Sequence, residues 1–280
     1  MFKKYILRNT RAKIGISIIT FFGLMAIFAP VITPYNPWSI EFMPWARPSP
    51  AHPLGVNSFG QDIFAQLVFG ARPTMLVGIL AGFLTSLIGM IVGLLTGYKG
   101  GLIDEVLMRV VDVMIALPTL ALIIVIASLL ESMNLIYIVL IIGILNWLWM
   151  ARSIRSQTLT EARRDYVDAA KALGMGDLEI MFREILPNII PVVTANMVMV
   201  ITGAMLTEAT MSFLGIGDPM MISWGRMLAI AFDNGAILFG TWWWLIPPGL
   251  AVATLGYSFM LIGNSFLDIY ASDRGGSVKL

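Results

Sequence analysis

The chain contains no cysteine, which excludes disulfides, thiolate metal sites and cysteine nucleophiles. A single histidine, His52, excludes a multi-histidine metal centre. No Gly-Lys-Ser or Gly-Lys-Thr occurs, so the chain lacks the phosphate-binding loop with which ATPases hold nucleotide. Charge is scarce. Asp, Glu, Lys and Arg make up 12% of the 280 residues, about half of what a soluble domain carries. The two signs nearly cancel, leaving a net charge of +1 that by itself says little about partners; it is the apolar composition that excludes a nucleic-acid binder. A hydrophobic content of 58% excludes a disordered chain and an ordinary soluble enzyme. What remains is an all-helical, multi-pass membrane protein.

A helix needs about 20 apolar residues to cross the hydrocarbon core. Six stretches meet that length: residues 14–33, 74–98, 113–130, 134–150, 189–214 and 244–267. The first follows Lys3, Lys4, Arg8, Arg11 and Lys13, as a signal peptide would. Its apolar run is too long for one, and prolines rather than a small-residue cleavage site follow, so it reads as an uncleaved first span. Basic residues set the orientation. Fifteen of 18 fall on one side: five in the N-terminal tail, Lys99 and Arg109 after span two, six between Arg152 and Arg183, and Arg274 and Lys279 in the C-terminal tail. Arg47, Arg72 and Arg226 fall on the other. Both termini are therefore expected in the cytoplasm. The organisation reads as a tail (1–13), span one (14–33), an external loop (34–73), a core of spans two to six (74–270) with a cytoplasmic loop (152–188), and a tail (271–280).

Gly89, Gly93 and Gly97 recur every four residues in span two, a pattern that lets helix backbones approach closely. Pro118, Pro247 and Pro248 remove backbone donors and are expected to kink or open their helices.

The cytoplasmic loop is the most informative stretch. Leu159, Ala162, Tyr166, Ala169, Ala170 and Leu173 share one helical face, with Glu161, Arg164, Asp165, Asp168 and Lys171 opposite. Gly174 is placed to end that helix in the left-handed conformation. Asp177 is placed to cap a second short helix reaching Leu186, and Pro187 marks the turn into span five. Small residues and mixed charge suit docking into a protein groove better than lying on lipid.

Asp168-Ala169-Ala170, three residues, Gly174, then Leu186-Pro187 resembles the cytoplasmic loop signature of ABC importer permeases, Glu-Ala-Ala-x3-Gly-x9-Ile-x-Leu-Pro. Asp168 stands for the Glu, and Glu184 stands where Ile is usual. Further segments resemble the second membrane subunit of the dipeptide, oligopeptide and nickel branch. These are His52-Pro53-Leu54-Gly55 with Gly60 and Asp62, Gly97-Tyr98-Lys99-Gly100-Gly101 with Asp104, Arg109 and Asp112, and Ser212-Phe213-Leu214-Gly215-Ile216-Gly217 with Ser223-Trp224-Gly225. Gln61 replaces the usual Arg, and the C-terminal segment fits less well.

The resemblance implies a non-catalytic permease subunit in the cell membrane, forming half of a translocation pathway. It implies a second, similar permease subunit, two ATP-binding cassette subunits that carry ATP and Mg, an extracellular solute-binding protein and surrounding membrane lipid, with no nucleic acid and no cofactor on this chain. It implies a coupling helix at 159–174 that sits in an ATPase groove, with Glu161, Tyr166, Asp168, Ala169, Ala170, Gly174, Leu186 and Pro187 as the coupling residues. Peptides are the first expected substrate, oligosaccharides the second and nickel the third.

Charged residues near membrane depth are pathway candidates. Glu208 either pairs with Arg226 or Arg72 at an outer gate, or faces water at the interface. Arg109 and Asp112 are helix neighbours near the cytoplasmic mouth. Trp224 and Trp242 to Trp244 read as an interfacial aromatic belt. Two rival classes stand beside the permease. Gly215-Ile216-Gly217-Asp218 resembles an intramembrane aspartyl protease motif, but that chemistry needs a facing acid, and only Asp112 is on offer. Secondary transporters often carry inverted repeats and mid-membrane acids; the sequence shows no convincing repeat, and its mid-bilayer positions are nearly free of acids.

Overall fold

The computed structural model describes residues 9–274, with side chains through Leu267. The tail residues 1–8 and 275–280, with Lys3, Lys4, Arg8 and Lys279, lie outside the described residues. The described chain is a helical bundle. Helix α1 spans Thr10–Ile27, α2 Ile63–Lys99, α3 Gly101–Ala116, α4 Thr119–Ser128 and α5 Leu135–Leu145. Helix α6 spans Trp147–Glu161, α7 Asp165–Ala172, α8 Leu186–Phe213, α9 Trp224–Asp233 and α10 Trp242–Arg274. Four helical stretches are long and apolar enough to cross a membrane, and up to six if the bent pairs α3/α4 and α5/α6 each count as one.

Local chemistry explains the breaks. Helix α1 stops at Phe28, and Pro30 opens a single further turn, Ala29–Ile32. The freed carbonyls are taken by Arg72 of α2, whose Nε donates to Ala26 O at 2.5 Å and Nη2 to Ile27 O at 3.1 Å. Helix α2 opens at Ile63, well before the expected start at residue 74, because Asp62 caps it: Oδ1 accepts the Ala65 N–H at 2.6 Å. The expected third span, 113–130, straddles a corner. Helices α3 and α4 meet at 87° around Leu117-Pro118. Leu117 is extended (ψ 139°), as a residue before proline prefers, so Pro118 turns the chain rather than merely kinking it. The fourth span bends by 41° at Asn146 and continues through α6 to Glu161, past its expected end at Met150.

Glycines set the packing of α2. A Cβ at Gly89 would lie 2.8 Å from Met150 Cβ, one at Gly93 2.6 Å from Ala151 O, and one at Gly97 2.6 Å from Thr158 Cβ. The four-residue glycine repeat is therefore the seat of α6. On another face, Gly78 and Gly82 meet Met205 and Ile201 of α8. Trp224, expected in an aromatic belt, is instead fully buried. Its ring packs edge-on against Phe22 at 5.2 Å and its Nε1 donates to Leu67 O at 2.8 Å. Trp244 is likewise buried, and only Trp242 of the three-tryptophan run is exposed. The segment after α8 contains α9, a helix the sequence reading did not anticipate.

Candidate functional site

The segment expected to couple to the ATPase is built on the end of α6. Its expected single helix, 159–174, is divided: α6 ends at Glu161, residues 162–164 turn, and α7 begins at Asp165. Glu161 makes the corner. Its carboxylate is 1% exposed and accepts from Tyr166 OH at 3.0 Å and from Arg164 Nε at 3.1 Å. One acid thus binds both the turn and the next helix. Burial and the bond to Glu161 push the Tyr166 phenol up to about 12, so it stays a donor.

The inward face of α7 also differs from the expected one. Val167 (0% exposed) and Ala170 (5%) point inward, against Ile180, Met181 and Ile185. Asp168, Ala169, Ala172 and Leu173 are exposed, and Tyr166 is half-buried. Leu173 is 84% exposed and Leu178 69%. Gly174 has φ +80°, as its placement predicts. Gly174 N donates to Lys171 O and Met175 N to Ala170 O, which satisfies the last carbonyls of α7. Nothing lies within 4 Å of a Cβ built on Gly174, so its requirement is conformational rather than steric.

Asp177 does not cap the next helix with its side chain. The carboxylate instead accepts from Tyr98 OH at 2.9 Å and pairs with Lys99, both at the end of α2. These donors, Lys99 foremost, hold the Asp177 carboxyl below its ordinary range. No turn forms at Pro187. A short helical turn, Asp177–Glu179, runs through a π-helical stretch, Ile180–Ile185, directly into α8. Proline cannot supply the N–H that the preceding turn needs, and a widened turn absorbs the mismatch. Asn188 Nδ2 donates to Glu184 O at 2.7 Å beside that gap. Leu186 packs in the cluster under α7, while Pro187 is exposed at the start of α8.

The charged residues at the same end pair across helices. Asp112 pairs with Arg152, and Asp104 accepts two bonds of 2.5 Å from Arg155. The expected Arg109–Asp112 neighbour pair is replaced by these α3–α6 links, and Arg109 stands exposed. The seat of α7 is thereby tied to α2 through glycine packing and to α3 through Asp104 and Asp112.

At the far end of α8, Glu208 is 1% exposed, so it does not face water. Its Oε1 accepts from Ser212 Oγ at 2.7 Å and Oε2 has no hydrogen-bond partner. Neither expected arginine pairs with it. Arg72 is spent on the α1 carbonyls, and Arg226 Nη1 donates to Asp218 O at 3.2 Å. The protease reading fails on geometry. Asp112 lies against Arg152, next to Ser153, which Asn196 of α8 contacts at 3.1 Å. Asp218 lies beyond Phe213, the other end of α8, and seventeen residues of helix separate Asn196 from Phe213, about 26 Å. The two acids cannot share a reacting atom.

Residues 89–273 match the family described as "Binding-protein-dependent transport system inner membrane component". Residues 2–48 match "N-terminal TM domain of oligopeptide transport permease C". The oligopeptide transport system permease protein OppC of Bacillus subtilis is 33% identical over 262 residues, covering 93% of this chain and 85% of that protein. The dipeptide transport system permease protein DppC of the same organism is 32% identical over 266 residues, covering 93% and 81%. The DppC of Haemophilus influenzae is 34% identical over 272 residues, covering 94% and 91%.

Proposed function

The chain belongs to the family of binding-protein-dependent transport system inner membrane components, and we propose on that premise that it is the transmembrane permease subunit of an ATP-driven peptide importer. The relatives' names, oligopeptide and dipeptide permeases, favour peptides over oligosaccharides and nickel as cargo. In this reading each bent pair is one crossing, for six spans, and the distribution of basic residues supports both termini and α7 on the cytoplasmic side.

The observation that carries the mechanism is the locked corner at Glu161. Helix α7 projects from α6, its Asp168-Ala169 surface and Leu173 exposed, its inner face keyed into the bundle. An ATPase subunit that grips the exposed side moves α7 as a rigid body, and α6 with it. Because α6 is seated on α2 and paired to α3, the displacement reaches three helices rather than one. In this reading ATP and Mg are bound by two partner ATPase subunits. A second, similar permease completes the pathway, and an external solute-binding protein delivers the peptide.

Proteoliposomes holding this chain with its partner permease, ATPase subunits and solute-binding protein test the reading. ATP-dependent accumulation of peptide is expected. Accumulation of an oligosaccharide but no peptide would overturn the cargo, and uptake driven by a proton or sodium gradient without ATP would overturn the class.

A further inference from the structure

Where α2 enters its uncharged run lies a cavity of about 230 Å³. Trp38 lines it from the loop after α1, Phe69, Arg72 and Leu76 from α2, and Met221 and Ile222 from the segment before α9. Arg72 is the one charged residue on this wall among the described residues; the rest of the lining is apolar. An adjoining cavity of about 430 Å³ shares Trp38 and Phe69 and adds no charge.

The charge of Arg72 is not neutralised in place. Its two hydrogen bonds go to main-chain carbonyls, Ala26 O and Ile27 O, and its guanidinium carbon stands 5.3 Å from the centre of the Phe69 ring. Those bonds spend Nε and one hydrogen of Nη2, two of five N–H groups, and leave three for a ligand. Asp218, two residues before the wall residue Met220, turns its Oδ1 to the Met220 N–H at 2.8 Å. A second guanidinium, that of Arg226, stands 5.8 Å from the Trp38 ring centre. Positive charge therefore gathers at an apolar cavity with no acid on its wall, and an anion is the group that completes it.

The face of α2 below Arg72 supplies the other half of the ligand. Leu76 (50% exposed), Ile79 (41%), Leu80 (45%) and Phe83 (54%) follow Arg72 at steps of three and four. From residue 74, where the uncharged run begins, to Phe83 the helix rises about 14 Å, close to the roughly 15 Å of one leaflet's hydrocarbon. Contacts between membrane helices favour small residues, as Gly89, Gly93 and Gly97 show against α6; this face is bulky, which suits an acyl chain. We propose that Arg72 and this face of α2 hold one phospholipid, with the phosphate on the guanidinium and an acyl chain along Leu76, Leu80 and Phe83. The lipid then shares its anchor with the α1–α2 junction, since the same guanidinium holds Ala26 O and Ile27 O. This inference rests on the reading of α2 as a membrane-crossing helix of the permease.

The test is native mass spectrometry of the complete transporter in micelles, titrated with phosphatidylglycerol. Leu76→Glu sets a carboxylate one helical turn from Arg72, at an exposed side chain, and leaves the α1 bonds untouched; Leu76→Gln is its neutral counterpart. Leu76→Glu is expected to raise the apparent Kd for the lipid about tenfold, and Leu76→Gln by less than about twofold. In the parent protein, diacylglycerol, which has the chains without the phosphate, and glycerol phosphate, which has the phosphate without the chains, should each bind at least about tenfold more weakly. That comparison decides the matter even where Leu76→Glu does not fold. Equal binding of phosphatidylglycerol by the parent and a folded Leu76→Glu, or of phosphatidylglycerol and diacylglycerol by the parent, would overturn the site. Glycerol phosphate binding as tightly as the lipid would overturn the acyl half and make the ligand a soluble phosphate. Absence of ATP-dependent peptide uptake by the parent protein would overturn the permease reading and leave the lipid measurement unaffected.

Discussion

Gly93 offers the sharpest test of how α7 is connected to the bundle. A Cβ there would lie 2.6 Å from Ala151 O, 2.7 Å from Ile154 Cβ and 3.0 Å from Arg155 N. All three are backbone or Cβ atoms, so no rotamer change relieves the clash. Ordinary carbon contacts need about 3.5–4.0 Å, so α2 and α6 must part by about 1 Å. Overpacking of this kind costs about 1–3 kcal/mol, or roughly 5- to 150-fold in the folding equilibrium. Gly93→Ala recovers up to about 1 kcal/mol in helix propensity, and Gly93→Val recovers less while adding volume. Gly203, mid-helix in α8 with nothing within 4 Å of its Cβ position, is the internal control. Thermal unfolding of the purified permease in mixed micelles should rank Gly203→Ala at or above the parent, Gly93→Ala below it and Gly93→Val lowest. The same order is expected for ATP-dependent uptake. If Gly93→Val matched the parent, or Gly203→Ala were as damaging, close approach of α2 and α6 would not be what holds the coupling segment in place.

At Gly174 the cost is a positive φ in open space, so Ala and Trp should destabilise alike, by about 1–2 kcal/mol, and Asn by less; a Trp variant far less stable than Ala in unfolding scans would show a steric neighbour instead. Glu161→Ala strips the Tyr166 hydroxyl and Arg164 of their shared acceptor, worth about 1–3 kcal/mol for the half-buried hydroxyl, and should leave ATP hydrolysis running with reduced uptake per ATP; a normal ratio would refute the corner. The phenol of Tyr166 is pushed up to about 12 from an ordinary 10, so the folded state holds that proton longer than the unfolded one. Its contribution to stability is full below pH 10 and is lost as pH rises towards 12. The difference in alkaline stability between the parent and Tyr166→Phe should vanish across that window, and a pH-independent difference would contradict the assignment.

The elements legible in sequence are those governed by local rules. The glycine repeat of span two announced a close helix contact and found one in α6, because backbone approach depends only on the missing side chains. Gly174 announced a left-handed end for the same reason. What escaped were choices decided by tertiary partners. Glu161 looked like one more polar-face acid until the turn at 162–164 folded Tyr166 and Arg164 onto it. Asp177 had the sequence of a cap, but Lys99 and Tyr98 from 78 and 79 residues away compete for its carboxylate. Asp112 had a basic neighbour one turn away and took Arg152 from another helix. Trp224 had the composition of a membrane belt, yet a hydrogen bond to Leu67 O lets the indole be fully buried. The 87° corner at Leu117-Pro118 was signalled by proline, though hydropathy alone read straight through it.

The central claim, that the exposed side of α7 is gripped by an ATPase subunit, has one direct measurement. The sequence has no cysteine, so a single Leu173→Cys substitution places one thiol in it, at a side chain 84% exposed, and the labelling is read on this subunit alone. Its reaction with a membrane-impermeant maleimide, followed in inside-out vesicles with and without the ATPase subunits, reads the contact. The account predicts fast labelling of the permease alone and strong protection once the ATPase subunits are bound. Equal labelling in an assembled complex that still transports peptide would contradict it.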